Sequence, residues 1–472
     1  MYLYKFKIVV LLIIPFIFGC SDRNDPVVAQ FGNQKISFEE FQTVYLDLLK
    51  KPHSMDSEQL RESCLDEIIT WKLLASKASE SGLDNDEIFQ YKCNAYNDKV
   101  LRELHFQHQI KPQIQINDNE LREVYSFITQ QRHVKHLFFK SIKVADIYYG
   151  RLNNSEDWNT IAREVFPDTD LATSGGDLGW INWGQMEYNL AMTTFRQEMG
   201  TISKPVASSF GYHIIKVLDY KKNPLISEDN YQSARQKVRY MLEKKIGDKI
   251  AAEYITSMMK DKSIEIQTDM ANLIASRFQE VFNRKPKPYE LTQETQLTSL
   301  ETRELENKYW SKRDDVLAII DGDELTVGEF IYNLNYIPYS ATTSGFKTAF
   351  DYIIRDRVLT KEAIELQLDQ SYPEYRVKTD LFYDKLLQLE YRRLLNREIT
   401  VSEDEICNRY KKDQNRLYMN IAFDNVRNDI KKMILLEKRS KDIGEHISTL
   451  KRGIQIRKNM RVIHDYYNNI QS

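Results

Sequence analysis

Two histidines and one glycine-rich segment are the residues of this 472-residue chain best placed to do chemistry. His136 lies in "HVKHLFFKS" and His213 in "YHIIKVLDY", both read as strands. On the second, alternation puts His213, Ile215 and Val217 on one face. If the two strands pair at the centre of one sheet, the histidines face each other. Between them runs "SGGDLGWINWGQM", residues 174–186, where Gly175, Gly176 and Gly179 permit backbone shapes that Cβ-bearing residues resist. No Lys-Ser/Thr follows those glycines and no helix opens directly behind them, which excludes a phosphate loop. The segment reads as a structural turn with Trp180 and Trp183 as packing. His105 and His108, and His133 and His136, stand three residues apart, a spacing that suits a metal. Neither pair has a third ligand of clear geometry, so no metal is expected. The plainer alternative for His136 and His213 is a pair of satisfied core residues.

These residues need elements to hold them. From about Arg132 to Tyr220 the sequence predicts a strand, helices over "KVADIYYGRL" and "DWNTIAREVF", and the glycine-rich turn. A helix over "MEYNLAMTTFRQE", a turn through "MGTISKPVASSFG" and a final strand complete it. Strands alternating with helices indicate a small α/β or α+β layer.

Around this segment the sequence repeats itself. "VAQFGNQKISFEEF" (28–41) matches "LAIIDGDELTVGEF" (317–330) without gaps: Ala29 meets Ala318, Ile36 meets Leu325, and Ser37 meets Thr326. Each copy predicts a short strand, a turn and a helix capped by Ser37 or Thr326. "LDEIITWKLLASKASESGLD" (65–84) then matches "FDYIIRDRVLTKEAIELQLD" (350–369), and "IQINDNELREVY" (114–125) matches "ITVSEDEICNRY" (399–410). The long amphipathic helices at 231–266 and 423–456 each lead into an alternating strand. Between Tyr125 and Tyr231 the first copy holds about ninety additional residues that have no counterpart after Tyr410. The expectation is a helical module used twice, with a compact domain inserted in the first copy only.

The inserted domain resembles the parvulin-type peptidyl-prolyl isomerases. The matching residues are His136-Leu137, Trp158 to Ala162, Gly175 to Trp180, Gly184-Gln185-Met186, Phe195, Gly200, Ser203, Pro205-Val206 and Phe210 to Ile215. The flanking helices resemble the chaperone segments of envelope foldases of the SurA and PrsA type. The resemblance implies that Met186, Leu190, Phe195 and Phe210 line a proline pocket. It also implies that His136 and His213 form a catalytic pair that fixes each other's tautomers. Asp168 falls where parvulins carry Asp or Cys near the substrate carbonyl, with Asp170 as the alternative. Leu190 stands where many parvulins have Phe. No cofactor is implied, because rotating an X-Pro bond needs only relief of a resonance barrier of roughly 18–20 kcal/mol.

The implied fold class is α+β: duplicated, mainly helical chaperone modules with an α/β parvulin domain inserted in the first. The expected organisation starts with a signal peptide (1–19) and a lipidated tether (20–26). The first helical module (27–130), the parvulin domain (131–222) and helices completing the first module (223–285) follow. A helical linker (286–312) then leads to the second module (313–472). The N-terminal reading rests on Lys5 and Lys7, an apolar run from Ile8 to Phe18 too short to span a bilayer, and Gly19-Cys20. Lipid on Cys20 would anchor the chain in the cell envelope, and Ser21 leans towards an outer membrane facing the periplasm. An ordinary cleaved signal is the alternative. In an oxidising compartment Cys64 and Cys93 could pair, or each could be buried alone. A net charge of -3 with no basic stripe argues against a nucleic-acid partner. The expected partners are unfolded or nascent exported polypeptides with X-Pro bonds, and the membrane through the anchor. The function implied is isomerase and chaperone; the alternative is a binding-only chaperone or assembly factor with a catalytically weak parvulin domain.

Overall fold

The computed structural model describes residues 25–51, 54–167, 169–222, 227–282, 299–414, 416–419 and 421–471. The signal peptide, Cys20 and most of the tether, Asp168, and part of the 286–312 linker lie outside the described residues. The chain opens with β1 (Val27–Phe31), β2 (Gln34–Ser37), α1 (Phe38–Leu49), α2 (Glu58–Glu80), α3 (Glu87–His105) and α4 (Asp118–Ile128). The insert follows: β3 (Gln130–Phe139), α5 (Ile142–Asn153), α6 (Trp158–Val165), α7 (Asp170–Ser174), β4 (Asp177–Asn182), α8 (Tyr188–Arg196), β5 (Val206–Ser208) and β6 (Gly211–Lys222). Next come α9 (Glu228–Met259), β7 (Ile264–Ile266), α10 (Thr268–Phe282), α11 (Ser299–Tyr309), β8 (Val316–Ile320), β9 (Asp323–Thr326), α12 (Val327–Asn333), α13 (Tyr339–Thr343) and α14 (Phe346–Glu365). The chain closes with α15 (Leu368–Ser371), α16 (Pro373–Leu395), α17 (Glu403–Asp413), α18 (Phe423–Arg452), β10 (Ile456–Lys458) and α19 (Met460–Gln471).

The repeat is visible in local chemistry. Ser37 and Glu40 form a reciprocal capping box at the start of α1, and Thr326 and Glu329 form its twin at α12. Asn117 with Glu120, and Ser402 with Glu405, do the same at α4 and α17. Each box satisfies backbone donors that the first helical turn leaves free, so the sequence fixes where these helices begin. The hairpins also agree in register. Ala29 pairs with Ile36 and Ala318 with Leu325, and each has a bulge just before its alanine.

The copies do not close on themselves. β10, from the end of the second copy, pairs with β1 of the first, placing Lys458 opposite Ala29. β7, from the first copy, pairs with β8 of the second, placing Ile266 opposite Ala318. The chain accordingly divides into a unit of 1–94 with 373–472 and a unit of 95–372. The expected boundaries, with 223–285 completing a first module and 313–472 forming a second, are drawn differently from this division. The two hairpins offer equivalent edges, so the repeat pattern cannot tell closure on itself from exchange. A helix of 32 residues such as α9 spans about 48 Å and delivers its strand far from its own start.

In the first unit Val28, Phe31, Ile36, Phe41 and Tyr45 pack on Leu65, Ile68, Leu381, Ile463 and Tyr467. Cys64 belongs to that core and Cys93 to a separate one with Phe89 and Leu387. Both thiols are free, and burial pushes each up to about 12. In the second unit the insert forms a four-stranded sheet ordered β4-β3-β6-β5. One face packs Leu137 and Ile214 against Trp158 and Ile161 of α6, and the other packs Val134, Ile181 and Ile215 against Leu190 of α8. Two of these strands, β4 and β5, lie in segments whose sequence reads as turns. Among the described residues no helix is long and apolar enough to cross a membrane.

Candidate active site

β3 and β6 are the two central strands and run antiparallel, with His136 opposite Ile215 and His213 opposite Phe138. This diagonal arrangement brings the two imidazoles together, their Nδ1 atoms 3.3 Å apart and their ring centroids 5.5 Å apart. Phe166 lies 5.6 Å from His136, and Phe138 lies 5.1 Å from His213. Burial depresses both histidines below the usual imidazole range, and His136, further lowered by His213, falls to about 4. The Glu187 carboxylate acts in the opposite sense on His213. At neutral pH the pair is therefore uncharged.

The neighbouring bonds select a tautomer. Ser208 Oγ lies 2.8 Å from His213 Nε2, accepts from the Phe210 N–H at 3.1 Å and reaches the Gly211 carbonyl at 3.3 Å. Every donor is satisfied when the hydroxyl donates to Gly211, His213 Nε2–H donates to Ser208, and His136 Nδ1–H donates to His213 Nδ1. His136 Nε2 is then a bare acceptor. It is buried and has no hydrogen-bond partner among the described residues.

The glycine-rich segment is structural, as its composition suggests. Gly175, Gly176 and Gly179 have φ of +68°, +71° and +70°. A Cβ on Gly176 would stand 2.0 Å from the His136 carbonyl oxygen. That close approach lets the His136 N–H donate to the Gly176 carbonyl at 2.9 Å. Trp158 Nε1 donates to the Gly175 carbonyl at 2.8 Å, and Asp177 faces His133 at 2.9 Å. The loop thus holds β3, and His136 with it, from the side.

The apolar residues implied by resemblance divide. Met186 is half-buried beside Leu190, Val206 and Ile215, on the face that carries His213. Leu190 is 8% exposed and packs with Val134, Ile181 and Ile215. Phe210 is 70% exposed, at the tip of the β5–β6 turn. Phe195 is 2% exposed and packs the other way, its ring 5.7 Å from Phe127 of α4. Asp168 lies outside the described residues; Asp170 opens α7 and is exposed. Sequence reasoning missed Ser208 and Glu187. Ser208 precedes the FGYH turn, and only recognition of a strand there would have placed it against His213.

Comparison with known proteins agrees with this geometry. Residues 140–219 match the rotamase family described as the PPIC-type PPIase domain. The chain carries a parvulin-type domain over those residues. The foldase PrsA of Geobacillus kaustophilus is 25% identical over 265 residues, covering 53% of this chain and 89% of that protein. PrsA of Bacillus subtilis is 28% identical over 181 residues, covering 38% of this chain and 59% of that one. A solved SurA-like chaperone from Campylobacter jejuni is 19% identical, with 51% of this chain and all of that one covered at a TM-score of 0.25. The chain has the α+β class expected of it, and its inserted domain is of the parvulin-type peptidyl-prolyl isomerase kind.

Proposed function

We propose that this chain rotates X-Pro bonds of exported polypeptides in the cleft between the His136–His213 pair and the Met186–Leu190 wall. The observation that carries this reading is the neutral, phenylalanine-walled histidine pair joined to Ser208. The barrier to rotation is amide resonance, whose planar form separates charge. An apolar cleft with uncharged imidazoles favours the twisted amide, in which that separation is lost. Removing about 4 kcal/mol would speed exchange nearly a thousandfold. Leu190 receives the proline ring beside Met186, and Phe210 covers it from the turn. His136 and His213 shape the cleft, and Asp168 opposes build-up of charge on the substrate oxygen. Phe195 packs on Phe127 of α4. No net proton transfer or cofactor enters the step.

The helical units hold unfolded segments of the same clients. Exposed Leu417, Met419 and Ile421, between α17 and α18, offer apolar surface for this. Lipid on Cys20 ties the chain to the envelope membrane, on the outer membrane facing the periplasm, and the organisation remains signal, tether, helical segments and an inserted parvulin domain. The test uses the full chain in two assays, isomerisation of a prolyl peptide and suppression of client aggregation. Met186→Ala should slow the first and spare the second. A wild-type chain active only in the second would establish the binding-only chaperone instead. Detergent partitioning of wild type against Cys20→Ala tests the anchor, and equal partitioning would refute it.

A further inference from the structure

The wall of the cleft is held from outside the parvulin domain. Lys245 sits midway along α9, a helix of the host. Its Nζ donates to the Gly184 carbonyl at 3.2 Å and, more closely, to the Met186 carbonyl. The ammonium stands 5.1 Å from the centroid of the buried Trp183 ring. Desolvation pulls Lys245 below the ordinary lysine range, while Asp248 and Glu187 pull the other way. The residue after Met186 continues the connection. Glu187 accepts the Ser209 N–H at 2.9 Å and also the Ser209 hydroxyl. Ser209 adjoins Ser208, which bonds His213.

We propose that Lys245 is a positioning residue for prolyl isomerisation, fastening the Gly184–Met186 turn to α9 so that Met186, the Glu187–Ser209 tie and the Ser208–His213 bond keep one geometry. This rests on the isomerase reading given above. The ammonium touches no substrate atom. It binds two carbonyls on the turn that leads into α8, and that turn has Met186 at its open end. Without the ammonium the turn is still held by Trp183, which is fully buried against α4 and α9. The fold is therefore kept while the front edge of the cleft is freed. A small misplacement of groups around a reacting bond is enough to cost an order of magnitude or more in rate.

The experiment compares Lys245→Met and Lys245→Arg with wild type in the full chain. Lys245→Met keeps the aliphatic stem over Trp183 and removes the donor. We expect it to lower kcat/KM for a prolyl tetrapeptide about tenfold, mainly in kcat, with an unchanged melting temperature. Lys245→Arg should restore most of the loss. The second readout is the pair of ring-nitrogen resonances of His213, which should shift in Lys245→Met because the Ser208 bond loosens. A folded Lys245→Met with wild-type kinetics and unshifted His213 overturns the proposal. If Lys245→Met melts early, Glu187→Gln replaces it, since it weakens the Ser209 tie and leaves the lysine in place. Wild-type kinetics and unshifted His213 resonances in that variant likewise overturn the linkage. If wild type itself fails to isomerise, the isomerase reading falls, and the His213 resonances alone decide whether α9 and the histidine pair are linked.

Discussion

The ring of Phe195 lies 5.7 Å from the ring of Phe127, so the inserted domain and its host share one core. Trp183, Ala191, Met192 and Phe195 of the insert pack with Leu121, Val124 and Phe127 of α4 and with Tyr231, Val238 and Leu242 of α9. Arg196 adds an ion pair to Glu123 at 2.6 Å. Excising 132–221 would strip the apolar faces of α4 and α9, although the sequence repeat suggests that the host closes without it. The excised chain should bind a hydrophobic dye strongly and lose its cooperative melt. Phe195→Ala should cost about 3–5 kcal/mol in urea unfolding of the second unit.

Ser208→Ala leaves His213 Nε2–H without its acceptor. A buried donor left unpaired costs about 1–3 kcal/mol. The variant should remain folded at 25 °C, melt earlier than wild type and isomerise a prolyl peptide several-fold more slowly. Ser208→Thr, which keeps the hydroxyl, should recover most of both losses. Equal rates in Ser208→Ala and wild type would remove Ser208 from the site.

Acid should loosen the parvulin domain through His136. Its folded value, about 4, lies below the ordinary 6.5, so the unfolded chain binds the proton first as pH falls. The neutral pair's contribution is fully present above pH 6.5 and is lost progressively as pH drops towards 4, by about 3 kcal/mol in total. Hydrogen exchange of the β3 and β6 amides should accelerate over that interval. His136→Gln should flatten the dependence.

Asp98 on α3 predicts the opposite slope. Desolvation raises it to about 6, despite Arg102 and Arg357, with Glu329 and Asp356 adding to the rise. Its folded value exceeds the unfolded one, so the folded state holds the proton more tightly. The stabilisation is complete below pH 3.8 and is lost as pH rises through 6. Asp98→Asn should therefore stabilise the second unit at pH 8, by about 1–3 kcal/mol, and change little at pH 4. Denaturant titrations of both forms at the two pH values check this.

Where the physics is local, the sequence was readable. Ser37, Asn117, Thr326 and Ser402 with their partner glutamates mark helix starts unambiguously, because a capping box is completed within four residues. The histidine pair was legible for a related reason: alternation fixes the face of each strand, and central pairing of β3 with β6 does the rest. β4 and β5 were hidden. Glycine in "GGDLG" and serine in "ASS" are poor strand formers, and both segments become strands only because β3 and β6 offer them edges. Phe195 carries the same apolar signature whether it lines a cleft or plugs a core, and only its neighbours on α4 decide which. Lys245 gave no signal at all, since its partners are backbone carbonyls about sixty residues away.

The reciprocal pairing of β1 with β10 and of β7 with β8 has a bearing on biogenesis. Ribosomes deliver the N terminus first, and the opening hairpin must then wait for Ile456–Lys458 before its third strand exists. Until that moment the β1 edge is bare, and bare edges invite pairing with other chains. Long-range closure of this sort is slow and leaves intermediates open to aggregation. The chain therefore passes through a stage in its own synthesis when a strand edge stands unpaired, and that stage ends only once Ile456–Lys458 has been made.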